Sequence, residues 1–136
     1  MRVELFVRAA GLGLFLAAAG VPSALASDLS ALQGAWLEDS ISCDEIFGKG
    51  GSFKRPLNLF ASAFVISGNR VRTPLASCGV KSVKSDGSRR ILLLNCTTSI
   101  APGEAKAFLE KASDGSLKRF LNEQDTVGTS YKQCRG

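Results

Sequence analysis

Between residues 63 and 72 apolar and polar side chains alternate with a period of two. Phe64 and Ile66 fall on one face, Val65 on the other, and Val71 stands between Arg70 and Arg72. That period puts successive side chains on opposite faces of a strand, so the segment predicts a hairpin turning at Gly68-Asn69. A second hairpin is predicted from Ala76 to Thr97, where two β-rich runs flank Ser85-Asp86-Gly87-Ser88. Asp-Gly between such runs is a strong turn signal, because glycine accepts positive φ without steric cost. If the turn holds three residues, Asp86 to Ser88, then Cys78 and Cys96 stand directly opposite and share a face. The same Ser-Asp-Gly-Ser sequence recurs at 113–116. Residues 104–121 also fit helical spacing through Ala105, Phe108, Leu109 and Ala112, but the repeated turn favours a hairpin of Lys106–Ala112 with Leu117–Leu121.

The remaining segments read as further short strands and loops. Leu32, Gly34 and Trp36 share one face of a first strand, and the glycine leaves room for another group to approach. Ile41 to Phe47 reads as a short strand carrying Cys43, Gly48 to Ser52 as a flexible loop, and Thr129 to Cys134 as a closing strand. Seven or eight strands joined by local hairpins describe an antiparallel meander, and closure into a small barrel removes its edges. The expected fold is an all-β barrel in one domain spanning 27–136.

The start of the chain reads differently. Arg2 and Arg8 flank a positive beginning, Ala9 to Val21 is an unbroken apolar and glycine run, and Ala24-Leu25-Ala26 supplies a small-x-small cleavage site. The run has 13 residues, short of the roughly 20 that a membrane-spanning helix needs. Residues 1–26 are therefore expected to be a signal peptide, with a mature chain from Ser27 that has no membrane span and is periplasmic or secreted. Cys43, Cys78, Cys96 and Cys134 all lie after it, and an even count in an exported domain reads as two disulfides. Hairpin geometry favours Cys78 with Cys96 and Cys43 with Cys134; Cys43 with Cys78 and Cys96 with Cys134 remains the alternative. A zinc site would need closely spaced cysteines or histidines, and neither is present.

Charge and composition narrow the chemistry. The chain has no histidine, which removes the usual general base and excludes serine–histidine and cysteine–histidine catalysis. The pairs Glu38-Asp39 and Asp44-Glu45 point to opposite faces of a strand, and Thr129-x-x-Lys132 has its two side chains pointing apart. Gly48-Lys49-Gly50-Gly51-Ser52 lacks the spacing of a phosphate-binding loop. No cofactor is expected, and the chain reads as non-catalytic. The net charge is +5, and from Lys49 to Arg90 nine basic residues face only Asp86. Lys81, Lys84, Arg89 and Arg90 gather about the cysteine hairpin's turn, and Arg70 and Arg72 flank Val71, which makes these six candidates for anion binding. Nucleic acid is a poor fit, since Phe64 alternates as a core residue and few aromatics remain to stack on bases. Another protein, met through the loops Gly48–Ser52 and Ile100–Glu104, or an anionic envelope polymer are the expected partners. The sequence leaves the oligomeric state open.

Two resemblances accompany this reading. Gly34-x-Trp36 on a first strand resembles the signature of lipocalins and related calycin barrels, and bacterial periplasmic metalloprotease inhibitors have a similar first strand. The resemblance implies a barrel whose tryptophan closes the base against a basic residue late in the chain, a place for Arg119 or Arg135. Beside the resemblance, the chain as a whole reads as a non-catalytic binding module of the inhibitor or ligand-carrier type, with an envelope-associated structural protein held to anionic surface polymer by its basic stripe as the alternative. The second resemblance rests on Cys43-x-x-Ile46-Phe47, Ala63 to Val71, Cys78, Cys96-Thr97-Thr98 and Tyr131-x-x-Cys134. These look like a group of small exported four-cysteine proteobacterial proteins, which implies the fold and the cysteine framework and no activity.

Overall fold

Trp36 is fully buried, and the fold closes around it. The computed structural model describes Gly13 and residues 29–135; the expected signal peptide over 1–26, its cleavage site and the start at Ser27 lie outside the described residues. Eight strands follow one another: β1 Gly34–Glu38, β2 Ala63–Ser67, β3 Arg70–Arg72, β4 Ala76–Asp86, β5 Arg89–Thr98, β6 Pro102–Lys111, β7 Leu117–Phe120 and β8 Thr129–Cys134. Each is antiparallel to its sequence neighbour, and β8 pairs back to β1, so the barrel is closed. Closure leaves no unpaired edge.

Antiparallel order puts the loops after odd-numbered strands at one end, here called the mouth. These are 39–62, 73–75, 99–101 and 121–128. Residues 68–69, 87–88 and 112–116, with the lead-in 29–33, lie at the opposite end, the base. The period of two then sorts the side chains. Trp36, Ile66, Val80, Leu92, Leu109 and Leu117 point inward and pack with Leu29 and Leu32, which plug the base. Ala35, Leu37, Ala63 and Val65 point outward and are covered by Ile46, Phe47 and Phe53 from the long 39–62 segment. Phe47 and Phe53 stack with ring centroids 5.2 Å apart.

The base is tied by polar contacts as well as by packing. The Trp36 indole N–H donates to the Leu32 carbonyl at 2.9 Å. Gly68 N–H donates to the Gln33 side chain at 2.7 Å, and Gln133 donates to the Gln33 carbonyl at 3.1 Å. Gly34 sits at φ 133°, and a Cβ there would lie 2.4 Å from the Gln133 amide nitrogen. The group that the glycine admits is thus a glutamine side chain from β8. The basic residue over the tryptophan is neither Arg119 nor Arg135. Lys111 fills that place, its Nζ 4.7 Å from the ring centroid and donating to the Ala31 carbonyl.

Both favoured disulfides form, Cys78–Cys96 and Cys43–Cys134. The route to the first differs from expectation. The turn is a two-residue one, Gly87-Ser88, closed by the pair Asp86 and Arg89, and a bulge between Val80 and Ser82 restores Cys78 opposite Cys96. One extra residue on one strand flips the facing of everything beyond it, so turn and bulge together reproduce the register of a three-residue loop. Ile41–Phe47 is not a strand: Cys43–Ile46 forms one helical turn, α1, with Asp44 and Glu45 in it, where carboxylates suit the positive end of the dipole. Residues 104–121 are strands. β6 starts at Pro102, so most of the loop expected over Ile100–Glu104 belongs to a strand.

Candidate functional site: the barrel lumen and its mouth

Side-chain size along the inward faces decides where the barrel is full. At the base Trp36, Leu29, Leu32 and Leu117 leave no space. Toward the mouth several inward positions are small: Ala76, Ala105, Ala107 and the Cys78–Cys96 disulfide. The consequence is a cavity of about 490 Å³, within the range of small-molecule sites. Its walls are mainly apolar, among them Phe64, Val71, Leu92, Leu94 and Leu109, and it reaches the mouth between residues 59–63 and 73–76.

Two polar side chains enter this space from neighbouring strands. Arg119, exposed at the mouth end of β7 two residues beyond the inward-facing Leu117, lines the cavity and pairs through its backbone with Thr129 of β8. Its guanidinium has no ion pair, hydrogen bond or aromatic partner among the described residues, where the single ion pair joins Lys81 and Glu104 at 3.0 Å. Tyr131 packs tilted against Phe64, centroids 5.1 Å apart. Among the described residues its hydroxyl has no hydrogen-bond partner, and no buried side-chain polar atom is left unsatisfied. The hydroxyl therefore meets the accessible part of the cavity.

The mouth has a character of its own. Leu59, Phe60, Leu75, Ile100, Leu121 and Val127 are the large apolar side chains exposed among the described residues. All six sit on the four mouth loops, and each of those loops has at least one. Scattered single exposures are ordinary, whereas Leu59, Phe60 and Leu75 also line the cavity, so apolar exposure gathers at its opening and marks a contact site. The loop 121–128 is held by Asp125, whose carboxylate accepts from the N–H groups of Leu121, Val127 and Gly128. Those bonds, with Leu121 first, hold its pKa below the ordinary carboxylate value.

The six basic candidates are only partly brought together. Arg70 and Arg72 are exposed on β3, beside the exposed Lys81 and Lys84 of β4. Lys81 is engaged with Glu104. Arg89 lies 3.6 Å over the Phe120 ring and donates to the Asp125 carbonyl at 2.9 Å, so it braces a mouth loop. Arg90 donates to the Gly87 carbonyl at 3.0 Å within its own turn. Sequence reasoning did not reach the lumen. Its signal was there, in Gly103, Ala105 and Ala107 at a period of two, but small residues at that spacing announce a hollow only once the strand's facing is known. No family model, curated protein or solved structure matches the chain. Two disulfides suit an oxidising environment outside the cytoplasm, and no helix among the described residues is long and apolar enough to cross a membrane.

Proposed function

We propose that this protein is a non-catalytic binding module that carries a small, largely apolar ligand in its lumen, in the periplasm or outside the cell. The observation that carries the reading is the open apolar cavity of about 490 Å³ beneath a rim of exposed apolar side chains. An apolar space reached from solvent gains free energy when an apolar ligand replaces water in it, by roughly 25 cal/mol for each Å² removed from water. The site asks for no chemistry of its residues, only shape and burial.

The test is titration with a fluorescent apolar probe such as N-phenyl-1-naphthylamine. The protein is expected to bind it with a micromolar Kd, and Ala107→Phe, which fills the lumen, to weaken binding by at least tenfold while the barrel still melts cooperatively. A folded protein that takes up no apolar probe overturns the reading, as does binding that Ala107→Phe leaves untouched.

A second reading rests on the outer wall, where Arg70, Arg72 and Lys84 of adjacent strands are exposed and without partners among the described residues. An anionic envelope polymer would meet them there. Retention on an immobilised anionic polysaccharide should fall with added salt and be lost in the Arg70→Glu, Arg72→Glu double variant. Retention that ignores both changes removes this reading.

A further inference from the structure

The unpaired arginine says something about the ligand that cavity volume alone does not. Two cations, Lys106 and Arg119, are among the residues lining the lumen, and no aspartate or glutamate is. Lys106 has the outward facing on β6, between the inward Ala105 and Ala107. Arg119 has the inward facing and no partner for its charge among the described residues. Glu38 is the nearest acidic position by pairing, opposite Tyr131 across β1 and β8. It accepts instead from the Ser40 hydroxyl and does not line the cavity. The Tyr131 hydroxyl is the second group with a hydrogen bond still to give, on the strand beside Arg119.

An exposed arginine at the mouth end of an apolar lumen, with an idle hydroxyl on the next strand and no carboxylate lining the space to balance it, is matched by one kind of molecule. We propose that the ligand is an amphiphile with a single apolar chain and one anionic head, the chain along the apolar walls and the head on the Arg119 guanidinium. The proposal rests on the lumen being the binding site. A guanidinium suits such a head because its fork of donors meets the two oxygens of a carboxylate, or two of a phosphate, at once. The Tyr131 O–H supplies one further donor. Nothing in the lumen repels the negative charge, so an uncharged chain of the same length forgoes a pairing that the anion makes.

The experiment compares ligands that differ only in the head. Calorimetric titration of the full chain at neutral pH would use dodecanoate, dodecyl phosphate and dodecanol, each below its aggregation limit. Both anions are expected to bind about tenfold or more tightly than dodecanol, the ratio that one charge-assisted pair commonly gives. Arg119→Met should bring the three ligands to within about twofold of one another while leaving dodecanol affinity in place. Arg119→Lys should keep part of the preference, which shows that a folded lumen with a cation retains it. Lys118→Met, an outward-facing charge lost from the same strand, should change nothing. Equal affinities in the unaltered protein overturn the anionic head, and so does a preference that survives Arg119→Met. Competition by inorganic phosphate at similar concentration overturns the amphiphile, since the chain would then be irrelevant. If none of the three ligands binds, dodecanol included, the lumen reading fails with it; dodecanol bound without preference leaves the lumen standing and removes only the head.

Discussion

Trp36 shows how much one side chain can be asked to do. It fills the base, donates to the Leu32 carbonyl and lies beneath Lys111, so three elements converge on its ring. Trp36→Ala is expected to cost about 3–5 kcal/mol, read from urea unfolding, and Lys111→Met about 0.5–1 kcal/mol through the lost cation–π contact. Gly128 is the mouth's counterpart. At φ 68° a Cβ would meet the Phe120 ring at 2.9 Å and the Arg119 carbonyl at 3.1 Å. Gly128→Ala should therefore destabilise by more than the roughly 1–2 kcal/mol of the left-handed conformation alone. Asp125 gives the pH dependence. Its pKa is lower folded than unfolded, because backbone N–H groups, Leu121 first, stabilise the charged form. The loop's stabilisation is therefore present above the ordinary carboxylate pKa and lost as pH falls through the depressed one. Amide exchange at Leu121 and Gly128 should quicken on such acidification, and in Asp125→Asn it should already be fast at neutral pH. Exchange unchanged in that variant would mean the carboxylate does not hold the loop.

Among the elements, hairpins were legible from sequence because a turn is a local event. Gly68-Asn69 and the two Ser-Asp-Gly-Ser segments specify their own geometry with a few residues. The bulge near Lys81 was not legible, since it answers to the register that β5 imposes from across the ladder. The helical turn at Cys43–Ile46 was hidden for a related reason: its apolar residues pack on the outer wall, whose existence depends on closure. The disulfides act on unlike scales. Cys78–Cys96 closes a separation of 18 residues inside a hairpin already paired, whereas Cys43–Cys134 closes 91 and joins the outer cover to β8. On the chain-entropy account the first restrains the unfolded state by about 3 kcal/mol and the second by about 4–5 kcal/mol. Replacing Cys43 and Cys134 by serine is therefore expected to lower stability more than replacing Cys78 and Cys96, as compared by urea midpoints. The reverse order would place the main constraint in the hairpin.

For the whole molecule, the alternation of apolar and polar residues led as far as a closed barrel of seven or eight strands, and the even cysteine count as far as two staples. It did not lead to the cavity. A hollow is a property of eight inward faces at once, set by where alanines and a disulfide stand opposite leucines, and no single segment announces it. Arg119 illustrates the limit: the resemblance sets it at the base against Trp36, and only the register of the closed barrel places it at the mouth end of the lumen. The rim is likewise a property of assembly, since Phe60 and Leu75 lie on different loops and line one opening. Changing both to serine should slow uptake of an apolar probe several-fold with little change in melting temperature, checked by stopped-flow fluorescence. An unchanged rate would separate the rim from the route of entry.

The long-range staple has one more consequence, and it concerns survival among proteases. Any single cut between Cys43 and Cys134 leaves two fragments still joined by that bond, and a cut between Cys78 and Cys96 is bridged twice. The exposed mouth loops, where a protease would strike first, fall inside this span apart from residues 39–42. A nicked molecule should run as one band without reductant and as two with it, and while nicked it can keep its barrel closed and its lumen intact.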